Sequence, residues 1–493
     1  METSAEHHIP TISTELEAAY FDDVRLTERL KKIATALAEK PSASLPAVFE
    51  DKSGDLEGAY RFLRNKKVTM ARVLAPHLDA TCERLREQGT ILVLHDTTEF
   101  AFEGDKPRSG LGPVSGGEGF FAHVALAITA DERRRPLGVL GVEPLIREPK
   151  PKPAKKGAKA AKKTSWLEKY NDPHKESLRW SRVMEQVEAR VDGGAEIIHV
   201  MDREADDYAL LCLLSKRRFV IRLKHNRVIT PEEPGSPARK VRDAVAETPH
   251  IFERTVALSA RNNDAKAPKV RRLYPTRNTR IATLRGGATR VTLVRPHGLP
   301  RTLPKELTLN VVHVEEVDVP TGETPVSWVL LTNEAVTTKE EIARVVDIYR
   351  ARWVIEDFFM ALKTGCAFET RQLESAKTLL NLLAILIPIA WRLLLLRNLA
   401  RDEPDVPASE VLPPRQLDVL QAALTKKLPA SPTARDVMLA VAALGGHIKS
   451  NGNPGWRVLA RGYERLLTLE DGWIIARASL LADAAVNPRS AKR

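Results

Sequence analysis

Near the start of the chain, apolar residues recur every three or four positions at Leu26, Leu30, Ile33 and Leu37, and the run LEGAYRFLRNKKV repeats the style. That spacing puts the apolar side chains on one helical face, so residues 1 to about 75 are expected to be helical. From about residue 90 the pattern shortens. ILVLHDTTEF, HVALAITA and LGVLGV are short apolar or β-branched runs bounded by Gly, Pro and charges, which predicts a meander of strands. After a helical stretch, LRWSRVMEQVEARV, the segment AEIIHVMDREADDYALLCLLSKRRFVIRLKHNR reads as strand, turn, helix and strand. Alternating runs such as TRVTLVRP, LTLNVVHVEEVDV and VSWVLLT then occupy residues 228 to 332. Helix returns from Thr338 to about Leu399, and the Pro-rich DEPDVPASEVLPPRQ precedes a last helical region.

The expected fold class is α/β, divided into a helical domain at 1–75, a catalytic domain at 76–398 with a β insertion at about 228–332, and a helical region at 399–493. Residues 148–164 carry seven lysines and no acid after Glu148, which predicts a mobile loop able to lie along a polyanion. The most apolar run, residues 379–391, falls short of the roughly 20 residues needed to cross a bilayer, so it reads as a buried core helix without a membrane role. No basic segment followed by an apolar one opens the chain, and a cytoplasmic location is expected. Lys and Arg number 76 against 64 Asp and Glu, a net charge of +12 that favours a polyanionic partner, nucleic acid above all. Three widely separated cysteines support neither a disulfide framework nor a zinc site. With aromatics at only 5% and surplus basic charge, a sugar-cleaving carboxylate pair fits poorly.

Three acids stand out. Asp96 and Asp202 are each read as ending a buried strand, in HDTTEF and VMDREADDY. Glu356 lies in YRARWVIEDFFMALKTG, where Tyr349, Arg352, Glu356 and Lys363 fall within an arc of about 60° on a helix. A carboxylate for a metal ion beside three groups able to hold a phosphate would need that mix, although Arg352 and Glu356 could also simply pair.

The spacing of Tyr349, Arg352, Glu356 and Lys363 resembles the Tyr-Arg-Glu-Lys signature of cut-and-paste insertion-sequence transposases of the Asp-Asp-Glu class. HDTTEF and VMDREADDY look like that family's two aspartate segments. GAYRFLRN, WVLLTNEAV and LGGHIKSNGNPGW resemble its further landmarks, in the right order. The resemblance spans nearly the whole chain and implies an RNase H-like core with a β insertion, a helical DNA-binding domain before it and a dimerisation region after it. It implies that Asp96, Asp202 and Glu356 form the catalytic triad and hold two Mg²⁺ ions, for which Mn²⁺ would substitute. Tyr349, Arg352 and Lys363 would hold the DNA backbone, Trp328 would stack on a flipped base, and Arg222, Lys224 and His225 would face DNA. The partners implied are double-stranded DNA, both terminal inverted repeats and target, and a second copy of the chain in a synaptic complex. Of the N-terminal basic residues, Arg29, Lys40, Arg61 and Arg64 are expected to contact the repeat. Met360 and Arg350 depart from the family's habits without touching the triad.

Overall fold

A computed structural model describes residues 9–104, 107–149, 172, 175–191, 193–231, 233, 236–258, 260, 268, 271, 275–448 and 453–486. Most of the Lys-rich segment, from 150 onward, lies outside these. The strands are β1 (Thr90–Phe102), β2 (Gly112–Val114), β3 (Gly117–Thr129), β4 (Pro136–Leu145), β5 (Glu196–Met201), β6 (Arg218–Arg222), β7 (Val228–Ile229), β8 (Arg239–Lys240), β9 (Phe252–Leu258), β10 (Arg280–Val294), β11 (Glu306–Val317) and β12 (Ser327–Thr332). All belong to one mixed sheet in the order β2-β3-β1-β5-β6-β12-β11-β10-β7-β8, with β4 added to β3 and β9 to β10.

At the centre, β1, β5 and β6 run parallel, while β3 pairs antiparallel with β1 and β4. Ile91 to His95 are buried without interruption, as expected of a strand covered on both faces. The β insertion does not form a sheet of its own, because β12 pairs antiparallel with β6 and carries the ladder outward through β11 and β10.

Helix Ala376–Asp402 is the main buried column. It extends well beyond the apolar run 379–391 and is long and apolar enough to cross a membrane. Yet 94% of its apolar window is buried inside the protein. It packs on helix Met70–Leu85, on β4 and on helix Ala434–Leu444. Polar groups pin the contacts: Trp391 Nε1 donates to the Pro136 carbonyl at 3.0 Å, and Asn381 Nδ2 donates to the carbonyls of Leu63 at 2.9 Å and Val68 at 3.2 Å.

The expected boundaries at 75/76 and 398/399 both fall inside helices, Met70–Leu85 and Ala376–Asp402. Apolar residues from the N-terminal helices, the sheet and the C-terminal helices share one core. Buried Glu15 fastens the first segment to that core. Its carboxylate accepts from His77 Nδ1 at 2.5 Å and from Arg84 at 2.9 and 3.0 Å, while His77 Nε2 accepts from the Val139 backbone at 3.1 Å. Because Nε2 is the acceptor, His77 is the neutral tautomer with its proton on Nδ1. Burial likewise holds the His77 pKa below its ordinary value.

Candidate functional site

The last parallel pair between β1 and β5 is His95 with Met201. The next residue on each strand is an aspartate, so Asp96 and Asp202 sit side by side where the two strands part. Asp202 does end its strand and caps the following turn, accepting from the Glu204 amide at 2.7 Å. The reading of Asp96 as a strand end needs correcting. β1 continues to Phe102 paired with β3, and Asp96 marks only the point where β1 loses its parallel neighbour.

Alternation along β1 sends His95 to the opposite face from Asp96. There His95 Nε2 meets His199 Nδ1 at 2.9 Å, and His199 Nε2 meets Glu188 at 2.9 Å. Burial pushes His95 and His123 well below the ordinary imidazole value, which leaves both neutral parts of the core. The carboxylate faces Arg352; the imidazole supports the sheet from the other side.

Tyr349, Arg352, Glu356 and Lys363 do not share one unbroken α-helix. Helix Lys339–Ala351 ends at Arg352, helix Trp353–Met360 follows, and Ala361–Gly365 forms a wider π turn. The jointed segment still delivers Arg352 to the aspartates. Its Nη1 donates to Asp96 Oδ2 at 2.7 Å and its Nη2 to Glu356 Oε1 at 2.7 Å. Burial raises the Asp96 carboxyl to about 6, opposed by Arg352 and reinforced by the charges of Asp202 and Glu356. Asp96 therefore senses both other acids.

Arg179, which no motif in the sequence singles out, holds the aspartate-bearing segments together. Its Nε donates to Thr97 Oγ1, beside Asp96, and its Nη2 to Glu204, beside Asp202, each at 2.9 Å. Asp206 is equally inconspicuous in the sequence. It accepts from the backbone amides of Lys224 and His225, both at 2.7 Å, and pairs with Arg227, fixing the loop that carries exposed Lys224 and His225. Asp202 lies four residues before it in the same turn, and nothing local distinguishes their roles.

The remaining expected residues scatter more. Arg222 donates to the Ser327 carbonyl at 3.2 Å and sits near the buried Tyr349 hydroxyl. Lys363 reaches the Glu99 carbonyl, on the part of β1 beyond Asp96, and the Glu369 carboxylate. Trp328 is 8% exposed, covered by Tyr349 and Trp353 with ring centroids at 5.6 and 6.0 Å. Trp353, 44% exposed and lying against Arg352, is the ring this site presents to solvent.

In the N-terminal helices, Arg29 is drawn inward to Asp55 at 3.1 Å, and Lys40 closes the end of helix Val24–Glu39. Arg64 pairs with Glu374 at 2.8 Å, whereas Arg61 is only loosely paired with Glu57 at 3.7 Å. Arg61, Arg64, Lys66 and Lys67 line one open cleft, so the free basic surface lies at the end of helix Ser53–Arg64 more than at Arg29.

Three carboxylates without cysteine or imidazole suit a hard cation by donor chemistry. As they stand, no group of three His, Cys, Asp or Glu among the described residues is arranged to hold a metal ion. The guanidinium of Arg352 lies between two of the acids instead.

The chain is thus mixed α/β, with two aspartates at the ends of its parallel strand pairing, a glutamate on the helix beside them and a basic helical N-terminal region. Residues 11–68 match the transposase DNA-binding family. The match supports a transposase, with DNA as its partner.

Raising the Asp96 pKa has a thermodynamic consequence for the metal-free protein. A carboxyl that binds its proton more tightly when folded loses stability as pH rises from about 4 to about 6, a cost on the order of 2–3 kcal/mol. In chelator, Asp96→Asn should therefore melt above the parent at pH 8, with the gap closing toward pH 4. Equal melting at both pH values would contradict the shift.

Proposed function

We propose that the chain is a metal-dependent cut-and-paste transposase of the Asp-Asp-Glu class with an RNase H-like core. The observation that carries this reading is the meeting of Asp96, Asp202 and Glu356: two aspartates at adjacent register positions and a helix-borne glutamate joined to one of them through Arg352. The strand order β4-β3-β1-β5-β6, with only β3 antiparallel to its neighbours, supports an RNase H-like core.

In this reading Asp96, Asp202 and Glu356 would hold Mg²⁺ or Mn²⁺. Such a cation supplies Lewis-acid stabilisation to the reacting phosphate and lowers the pKa of an attacking water. Arg352 and Lys363 would grip the backbone beside the scissile bond, and Tyr349 would back them. Lys224 and His225, exposed on the loop that Asp206 fixes, would add to the DNA-facing surface. Water would first free a 3′-hydroxyl at the element's end. That hydroxyl would attack the opposite strand to form a hairpin, water would reopen it, and the hydroxyl would finally attack target DNA. A base extruded by the hairpin could reach Trp328 only by displacing Trp353, at a cost set against stacking worth roughly 1–3 kcal/mol. Leu469, Ile474 and Ile475 lie exposed on helix Trp456–Val486, and a second copy of the chain would complete the synaptic complex.

The deciding experiment incubates the full chain with a supercoiled plasmid carrying the inverted repeats that flank its coding sequence, with and without Mg²⁺. Nicks, hairpin ends and integration that depend on the cation are expected. Tight binding without any cleavage would instead make the chain a DNA-binding regulator. Joint replacement of Arg61, Arg64, Lys66 and Lys67 by Gln should weaken end binding and flatten its salt dependence by about 0.9 for each phosphate no longer neutralised. Arg29→Gln should act mainly on folding, because its guanidinium is committed to Asp55. An unchanged salt slope in the quadruple variant would remove the cleft from the DNA surface.

A further inference from the structure

Arg352 and Glu356, four residues apart, could pair on any helix. The second bond is different, since Asp96 lies 256 positions away in sequence. One planar fork thus spends its two terminal nitrogens on two separate acids, each at 2.7 Å, with the residue 7% exposed. Its Nε has no hydrogen-bond partner among the described residues, so beyond the Trp353 ring beside it the group is held by these carboxylates. A guanidinium that bridges two carboxylates and neutralises their repulsion takes the part that a divalent ion would otherwise play between them.

We infer that Arg352 is an internal competitor for the cation site: its guanidinium must leave Asp96 and Glu356 before a divalent ion can join them. The inference rests on the reading of these acids as cation ligands. It accounts for three converging acids that are nonetheless not arranged as a metal centre. By linkage, an anion that draws the guanidinium away tightens the cation by the same factor. A DNA phosphate is such an anion, so a site without DNA would load its cation weakly.

The test is a Mn²⁺ titration of the full-length chain without DNA, with the free ion followed by its paramagnetic resonance signal. Arg352→Gln should bind Mn²⁺ about tenfold more tightly than the parent, since two charge-assisted bonds no longer oppose the ion. Arg352→Lys keeps the charge but lacks the fork, and should also bind more tightly than the parent. Arg350→Gln removes the same charge nearby, where the side chain pairs with Asp347 at 3.2 Å instead, and should leave the affinity unchanged. Tightening by Arg350→Gln as large as that by Arg352→Gln, or an Arg352→Lys affinity equal to the parent's, would reduce the effect to general charge and overturn the inference. Should Arg352→Gln fail to fold, Arg352→Lys is read by the same rule. Asp96→Asn separates the two levels. If it weakens Mn²⁺ binding while the Arg352 variants change nothing, competition fails and the functional reading stands; if it has no effect, the reading itself fails.

Discussion

Asp202→Ala or Glu356→Ala should lower metal-dependent cleavage of element ends roughly a thousandfold or more, while end binding and its salt slope stay those of the parent. The expectation follows from placement. Asp202 caps its turn with one oxygen, and Glu356 is 47% exposed at its side chain and, among the described residues, bonded to Arg352 alone, so neither carries much of the fold. Loss of activity without loss of folding is therefore the anticipated phenotype. Conservative versions sharpen it: Glu356→Gln keeps an acceptor for Arg352 but removes the charge a cation needs. Parent-like nicking by either alanine variant would strike that residue from the chemistry, whatever its resemblance to a known motif.

A second large effect concerns stability. Glu15→Ala should destabilise the protein by about 3 kcal/mol or more, because it leaves His77 and Arg84 facing a buried void where a carboxylate had been. Burial alone would push the Glu15 carboxyl up, but His77 and Arg84 prevail and hold it at about 2. The sign follows. A carboxyl depressed on folding contributes stability that is complete above its unfolded value of about 4.5 and is lost as pH falls toward 2. Acid unfolding of the parent should accordingly steepen across that window, and Glu15→Gln should flatten it. If the parent and Glu15→Gln unfold along the same acid curve, the network is not what fastens the N-terminal segment.

Much of the site is legible in the residue pattern without tertiary information. Strand and helix periods locate β1, β5, β6 and the helices around Glu356, whereas the choice of the three acids comes from their resemblance to a family's motifs, since nothing local separates Asp202 from Asp206. What the local pattern leaves out has a common origin. HDTTEF suggests a strand end at Asp96 because it turns polar after an apolar run; in fact Thr97 bonds Arg179 and Glu99 accepts from the Ser115 and Gly116 amides, so those polar groups are satisfied while the strand continues. Arg29 is expected to face DNA, yet it meets Asp55, an acid that no local pattern pairs with it, whereas Arg64 reaches Glu374 from the rim of the open basic cleft. Trp328 is expected to be available for stacking, but the helices carrying Tyr349 and Trp353 cover it.

By itself, then, the order of residues determined which elements form, which acids they carry and that the surface is basic, because those properties depend on neighbours within a few positions. Tertiary structure alone decided that Asp96 and Asp202 stand abreast, that Arg352 spans Asp96 and Glu356, and that Glu15 is buried against His77. The pairings of Asp96 with Asp202, Asp96 with Arg352 and Glu15 with His77 join residues tens to hundreds of positions apart. Strand register and core packing create them, and a helical or strand period has no term that extends so far along the chain.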